Sequence, residues 1–239
     1  QILTDFVGAL AGQLHAAGKM LTLALPAKVT DTTSGWSGAF DIRALGQQAD
    51  LATIMAYEYR GPFSGPGSVA PYDWVQRVLT FTTQQMSPDR VLLGLAFYGY
   101  DWNTATGLTR SLGYPQALAL AQTFGVDPGF DSTQQSLTFA YAGIPPRASS
   151  IRAVSGHRIT VHSAPPCDVT APAPTAAARP TPLPSSDTDQ HEVWIEDSGS
   201  AAARVALATQ FRAAGVSTWR LGQEDPGVWP LFDAYRGGA

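Results

Sequence analysis

Tyr57, Glu58 and Tyr59 stand together at the end of an apolar run, ATIMAYEYRG over residues 52–61. Phenols and a carboxylate at one strand exit can hold, donate or accept protons. Similar groups close three other apolar runs. Lys28 follows LTLALPA, Tyr98, Tyr100, Asp101 and Trp102 follow RVLLGLA, and Trp219, Gln223, Glu224 and Asp225 follow GVST. Each also has an ordinary reading. Tyr57 can be an interior tyrosine satisfied internally, Glu58 a solvated loop charge and Trp219 a core indole. An aromatic cluster such as Tyr98, Tyr100 and Trp102 is more often packing than ligand contact. His157 and His162 in HRITVH have no third ligand nearby, so no metal site is expected, and no cofactor motif is read.

Composition narrows the partners. The 239 residues are 44% hydrophobic with a formal net charge of −4. Mild acidity gives no electrostatic reason to bind nucleic acid or an anionic membrane. No apolar run approaches the roughly 20 residues that span a bilayer. The lone Cys167 excludes an internal disulfide and any cysteine-based metal cluster. Nothing at the start resembles a signal peptide.

The elements that would position these residues alternate in type. QILTDFVGALAGQLHAAGK has Ile2, Leu3, Phe6, Val7, Leu10 and Leu14 at helical spacing, with Gly18 placed to end the helix. No capping residue precedes Ile2, and the expectation is a helix that has lost its first turn. A strand over KMLTLALPA, a helix around GAFDIRALGQQA and a strand over DLATIMAYEY follow. After a Gly/Pro-rich loop, YDWVQRVLTFTTQQM puts Trp74, Val75, Val78, Leu79 and Thr82 on one helical face. RVLLGLAFYGYDW reads as one strand ending in aromatics. SAAARVALATQFRAAG reads as a helix, and VSTWRLGQED as a further strand. Near-continuous apolar strands separated by helices argue for an α/β fold with a parallel sheet covered by helices. Function in such folds gathers at the carboxyl ends of the strands, whether the sheet closes into a barrel or stays open.

Residues 104–196 break the alternation and read as a small α+β insertion. SLGYPQALALAQTFG looks helical, and SLTFAYAG and HEVWIED look like strands. Between them, residues 143–189 hold no aromatic and are rich in Pro, Ala, Ser and Thr. Such a composition is expected to be a disordered, dispensable linker. The expected organisation is a barrel part over 1–103, the insertion over 104–196, and the last helix and strand of the barrel over 197–239.

Taken together, LTLALPAK, IMAYEY with SGPGSVAPYDWVQRVL, DRVLLGLAFYGYDW and GVSTWRLGQEDPGVW resemble glycoside hydrolases of family 18. The likeness is closest to the bacterial spore-germination and cortex-lytic branch. YPQALALAQTFG and HEVWIEDSGSAAAR resemble that family's insertion and its return to the barrel. The resemblance implies a partial (β/α)8 TIM barrel carrying the family's strands five to eight. It also implies hydrolysis of β-1,4-linked N-acetylhexosamine polymers, chitin or peptidoglycan, in which the substrate's acetamido group is the nucleophile. By resemblance Tyr57 hydrogen-bonds the acetamido carbonyl and Trp219 floors the subsite where the sugar is cleaved. Glu58 stands where the family commonly has Asp, one methylene shorter. Tyr98, Tyr100 and Trp102 would line neighbouring subsites; Met55 is grouped with these substrate-binding residues, though its own reading is packing within the barrel.

The family's acid-bearing DxxDxDxE run occurs nowhere in the chain. The strand that carries it would lie just before residue 1, so this polypeptide alone is expected to be inactive. The implied partner is a polysaccharide or oligosaccharide, and the implied location is extracellular or at the cell wall or spore. Open barrel edges would favour self-association. A non-catalytic, lectin-like relative is the alternative.

Overall fold

The computed structural model describes residues 1–146 and 188–237. The expected linker lies mostly outside the described residues, as do His157, His162 and Cys167. The chain opens with helix α1 (Ile2–Ala16), strand β1 (Thr22–Pro26), α2 (Ile42–Gln48), β2 (Leu51–Met55), α3 (Tyr72–Gln85) and β3 (Val91–Ala96). There follow β4 (Tyr98–Asn103), β5 (Thr109–Gly113), α4 (Tyr114–Phe124), β6 (Gly129–Asp131), β7 (Ser136–Ala142) and β8 (Gln190–Ile195). Helix α5 (Ser198–Gln210), β9 (Gly215–Trp219) and α6 (Val228–Gly237) complete it.

The strands form two sheets. One is a four-stranded parallel sheet in the order β1-β2-β3-β9. The other has five antiparallel strands in the order β5-β4-β8-β7-β6. Among the described residues the parallel sheet does not close, and β1 and β9 are its edges. This is a partial barrel with an α+β insertion between β3 and α5. No helix among the described residues is long and apolar enough to cross a membrane.

Local chemistry explains the helix ends. Asp41 Oδ1 accepts the Ala44 N–H at 2.9 Å and caps α2, and Asp197 Oδ1 caps α5 through the Ser200 N–H at 2.8 Å. Pro71 precedes α3, where its missing N–H costs no helical bond. The core lies between the parallel sheet and its helices. Leu25, Ile54 and Leu93 from the strands meet Val75, Val78 and Leu79 of α3 and Leu207 of α5, all buried. Burying each such side chain stabilises the fold by roughly 1.5–3 kcal/mol before chain entropy is counted.

RVLLGLAFYGYDW is not the single strand its continuous apolar run suggests. It breaks at Phe97, where β3 leaves the parallel sheet and β4 begins the other. The Phe97 N–H donates to the Trp219 carbonyl at 2.7 Å, and its ring packs with Ala201, Val228 and Phe232. An apolar pocket under α6 therefore captures Phe97 and turns the chain. Likewise Ser111–Gly113 belongs to β5, and α4 starts only at Tyr114.

Candidate active site

The two sheets meet at the exit of β2. Met55 ends that strand, Ala56 is buried, and Tyr57 and Glu58 follow. Glu58 adopts the left-handed region, with φ 65°, which few non-glycine residues occupy. Beyond it the carboxylate reaches β4. Glu58 Oε1 accepts the hydroxyls of Tyr98 and of Tyr100, the latter at 2.7 Å. Side chains two apart on a strand share a face, so Tyr98 and Tyr100 arrive side by side. Their ring centroids are 5.8 Å apart, and Tyr57 meets Tyr98 edge to face at 6.3 Å.

Close approach here depends on Gly94 in β3. A Cβ at that position would stand 2.5 Å from the Ile54 carbonyl oxygen and 3.2 Å from Cε1 of Tyr57. Burial pushes the Tyr57 phenol above its ordinary pKa, and the charge of Glu58 adds to the shift. Burial and then the hydrogen bond to Glu58 push Tyr98 and Tyr100 up as well. All three phenols therefore keep their protons at neutral pH, and Tyr98 and Tyr100 donate theirs to Glu58.

Glu58 separates two hollows. One, of about 250 Å³, is lined by Glu58, Tyr98, Tyr100, Ser111, Trp219, Arg220 and Gln223. Every residue lining it carries a polar group, and the indole and the two phenol rings add apolar faces. Trp219, at the end of β9, is 56% exposed, so it presents a free face rather than filling the core. The peptide bond from Trp219 to Arg220 is cis. The other hollow, of about 340 Å³, is bounded by Pro26, Ala27, Trp36, Met55, Tyr57, Glu58, Phe63 and Trp74. Trp36 and Phe63 are each 71% exposed along its rim.

The structure thus brings Met55, Tyr57, Glu58, Tyr98, Tyr100 and Trp219 to the two hollows. Trp102 lines neither. It is buried, packs its ring 5.5 Å from Tyr100, and donates Nε1–H to the Gly61 carbonyl at 3.3 Å. Its position supports the loop that follows Glu58. No cluster of three or more His, Cys, Asp or Glu side chains that could hold a metal occurs among the described residues.

Two buried polar networks hold the insertion in place. Glu196 Oε1 accepts the hydroxyls of Ser68 at 2.8 Å and Ser136 at 2.9 Å. Arg204 Nη2 lies 3.5 Å from Glu196 Oε2, and the guanidinium donates to the carbonyls of Ala70, Gln134, Gln135 and Ser200. This ties the β2–α3 loop, the β6–β7 turn and α5 together. Burial pushes the Glu196 carboxyl up, against the opposing pull of Arg204. On the far side of β4, Asp101 pairs with Arg110 at 2.9 Å, the Tyr141 hydroxyl at 2.7 Å and His191 Nδ1 at 2.8 Å.

The model of the glycosyl hydrolases family 18 matches residues 1–224. The chain belongs to that family. Among the curated relatives, an uncharacterized glycosylase YvbX of Bacillus subtilis (strain 168) is 24% identical over 228 residues, covering 95% of this chain and 54% of the relative. A cortical fragment-lytic enzyme of the same organism is 26% identical over 223 residues, covering 91% of this chain and 42% of its own length. The chain spans about half the length of the curated relatives it matches. Among solved structures, a chitinase from Chromobacterium violaceum is similar with TM-score 0.74 and 26% identity, over 98% of this chain and 60% of that one. The Bacillus cereus spore cortex-lytic enzyme SleL has the same fold, with TM-score 0.75 at 23% identity over 98% of this chain and 45% of its own.

Around these two hollows, sequence reasoning missed Trp36, Phe63, Ser111 and Arg220 as lining residues. Arg220 stood inside the quoted WRLGQED run, next to the tryptophan that was read. Phe63 is the one aromatic of a Gly/Pro-rich loop, whose composition signals a turn and no ligand contact. Trp36 and Ser111 carried no local signal, because the fold brings them there.

Proposed function

We propose that this chain forms part of the cleft of a glycoside hydrolase acting on β-1,4-linked N-acetylhexosamine polymers, chitin or peptidoglycan. The observation that carries the reading is the placing of Glu58 between two hollows, with Tyr57 beside it and the Trp219 face exposed. Relatives named as cortical fragment-lytic enzymes and a chitinase support that substrate class and favour a location at the spore or cell wall, or outside the cell.

The mechanism on this reading is substrate-assisted and retaining. The acetamido oxygen of the bound sugar attacks the anomeric carbon as the glycosidic oxygen leaves with a proton. Tyr57 donates to the acetamido carbonyl and holds it in line. Glu58, oriented by Tyr98 and Tyr100, faces the acetamido nitrogen and balances the positive charge that grows there. Trp219 stacks under the sugar's C–H face. Water then opens the cyclic intermediate with retention.

The leaving oxygen needs an acid. Among the described residues lining the two hollows Glu58 is the only carboxylate, and on this reading it serves the acetamido group. The sequence holds no DxxDxDxE run, and on this reading none of the described residues lining the hollows is assigned to supply that proton. The same observation favours a second reading, a lectin-like relative that binds the sugar without cleaving it.

One experiment separates them. N-acetylglucosamine oligomers are titrated against tryptophan fluorescence, and hydrolysis is then assayed after joining the chain to a strand carrying DxxDxDxE. Binding followed by turnover supports the hydrolase. Binding without turnover in the joined protein favours the lectin-like reading, and absence of binding overturns both.

A further inference from the structure

The hollow beside Trp219 holds one cation, Arg220, among the residues that line it. Among the described residues this exposed guanidinium has no ion pair. The acids nearest to it in sequence are engaged elsewhere. Glu224 Oε2 accepts the Gly222 N–H at 2.5 Å. Asp225 accepts the Ser198 and Gly227 N–H groups, each at 2.9 Å. Glu58, the carboxylate of the same hollow, gives Oε1 to two phenols and makes no ion pair among the described residues.

A neutral sugar gives such a cation nothing that Ser111, Gln223 and the tyrosines do not already offer. Hydroxyls and acetamides are read by uncharged donors and acceptors. A planar guanidinium matches a carboxylate through two parallel hydrogen bonds, which are stronger than neutral ones. Arg220 directly follows the indole on which a sugar would stack. Its flexible side chain can therefore reach a substituent on that sugar or on the next one.

We infer that Arg220 selects an N-acetylhexosamine polymer that carries carboxylates, namely the lactyl groups of a peptidoglycan glycan strand, over neutral chitin. The inference rests on the carbohydrate-cleft reading above and names the substrate class for the same site. Arg220 acts as a specificity residue that touches the substituent and takes no part in bond breaking. The other cation of the region, Arg60, lies 5.4 Å over the Tyr59 ring and does not line this hollow.

The test compares two tetramers by calorimetry and tryptophan fluorescence. One is neutral tetra-N-acetylglucosamine. The other is a glycan tetramer from peptidoglycan with free lactyl carboxylates. The carboxylated tetramer is expected to bind at least fivefold more tightly, with the ratio shrinking as salt is raised from low to moderate concentration. Arg220→Gln should bring the ratio close to one, and Arg220→Lys should keep part of it. Equal affinity for the two tetramers, or a ratio that Arg220→Gln leaves intact, overturns the inference alone. An equal change for both tetramers also overturns it, assigning Arg220 to balancing Glu58. Failure of both tetramers to bind sinks the carbohydrate reading and this inference with it.

Discussion

The Tyr100 hydroxyl donates to Glu58 Oε1 at 2.7 Å, so a strand of the insertion sheet holds the carboxylate that leaves the parallel sheet. The insertion therefore completes the cleft and is not an appendage to it. A hydrogen bond to a charged acceptor contributes about 1.5–3 kcal/mol when shielded, and Glu58 is exposed enough to reduce this to about 1 kcal/mol. Tyr100→Phe is expected to lower the free energy of unfolding by that amount in urea titrations. In a cycle with Glu58→Ala the two losses should fall short of additivity. Strict additivity would mean that the pair is not coupled.

Gly94→Ala probes the same junction from below. The new methyl would stand 2.5 Å from the Ile54 carbonyl oxygen, and that backbone cannot yield without disturbing β2. Overpacking of this kind costs about 1–3 kcal/mol. The expected result is a lower thermal midpoint together with weaker oligomer binding, because Tyr57 is pushed aside. A variant with unchanged stability and binding would show that Gly94 is not needed for the approach.

The parallel strands and the exit at Tyr57–Glu58 were legible because an apolar run closed by polar residues is a local pattern. The break at Phe97 was not, since an aromatic there continues the apolar run. What turns the chain is the Trp219 carbonyl and the α6 rings, which are distant in sequence. The Glu196 network was hidden for the same reason. Its serine partners lie 128 and 60 residues away. Trp102 shows the limit of residue type as a guide, because it follows Tyr100 by two positions along β4 yet its indole is buried and lines neither hollow.

Glu196 sets a pH dependence. Burial holds its folded-state pKa above the ordinary value of 4.5. As pH rises past 4.5 the unfolded chain releases this proton while the folded protein keeps it. The unfolded state then binds fewer protons, and the Glu196 contribution to stability falls until pH passes the raised folded value. Glu196→Gln should flatten that decline and be at least as stable as the wild type at pH 8, because its amide mimics the protonated carboxyl. Glu196→Ala should be less stable throughout, leaving Ser68, Ser136 and Arg204 short of a partner. Chemical denaturation between pH 4 and pH 8 decides it. A steeper decline in the Gln variant would reverse the assigned sign.

The unpaired edges of β1 and β9 predict association of the isolated 239-residue polypeptide. Exposed ladder groups are templates for pairing with another chain. Light scattering is expected to show dimers or larger species, and Lys substitutions on the β1 edge should shift them toward monomer. A sharp monomeric peak with one cooperative unfolding transition would mean that the edges are protected in solution.

Activity separates orientation from proton donation. Tyr57 and Glu58 would hold the acetamido group, but a positioned acid typically contributes 10²–10⁴-fold, and neither residue is assigned that task. The polypeptide alone should hydrolyse N-acetylglucosamine oligomers negligibly, and joining it to a DxxDxDxE-bearing strand should generate turnover. In that joined protein Tyr57→Phe and Trp219→Ala should each lower kcat/KM at least tenfold. The Tyr57→Phe loss should be the same from pH 6 to pH 9, because burial keeps the phenol protonated beyond the ordinary tyrosine range. A loss confined to the alkaline side would instead assign Tyr57 a titrating role. Turnover by the 239-residue polypeptide that Glu58→Gln abolishes would make Glu58 the acid and overturn its assignment to the acetamido nitrogen.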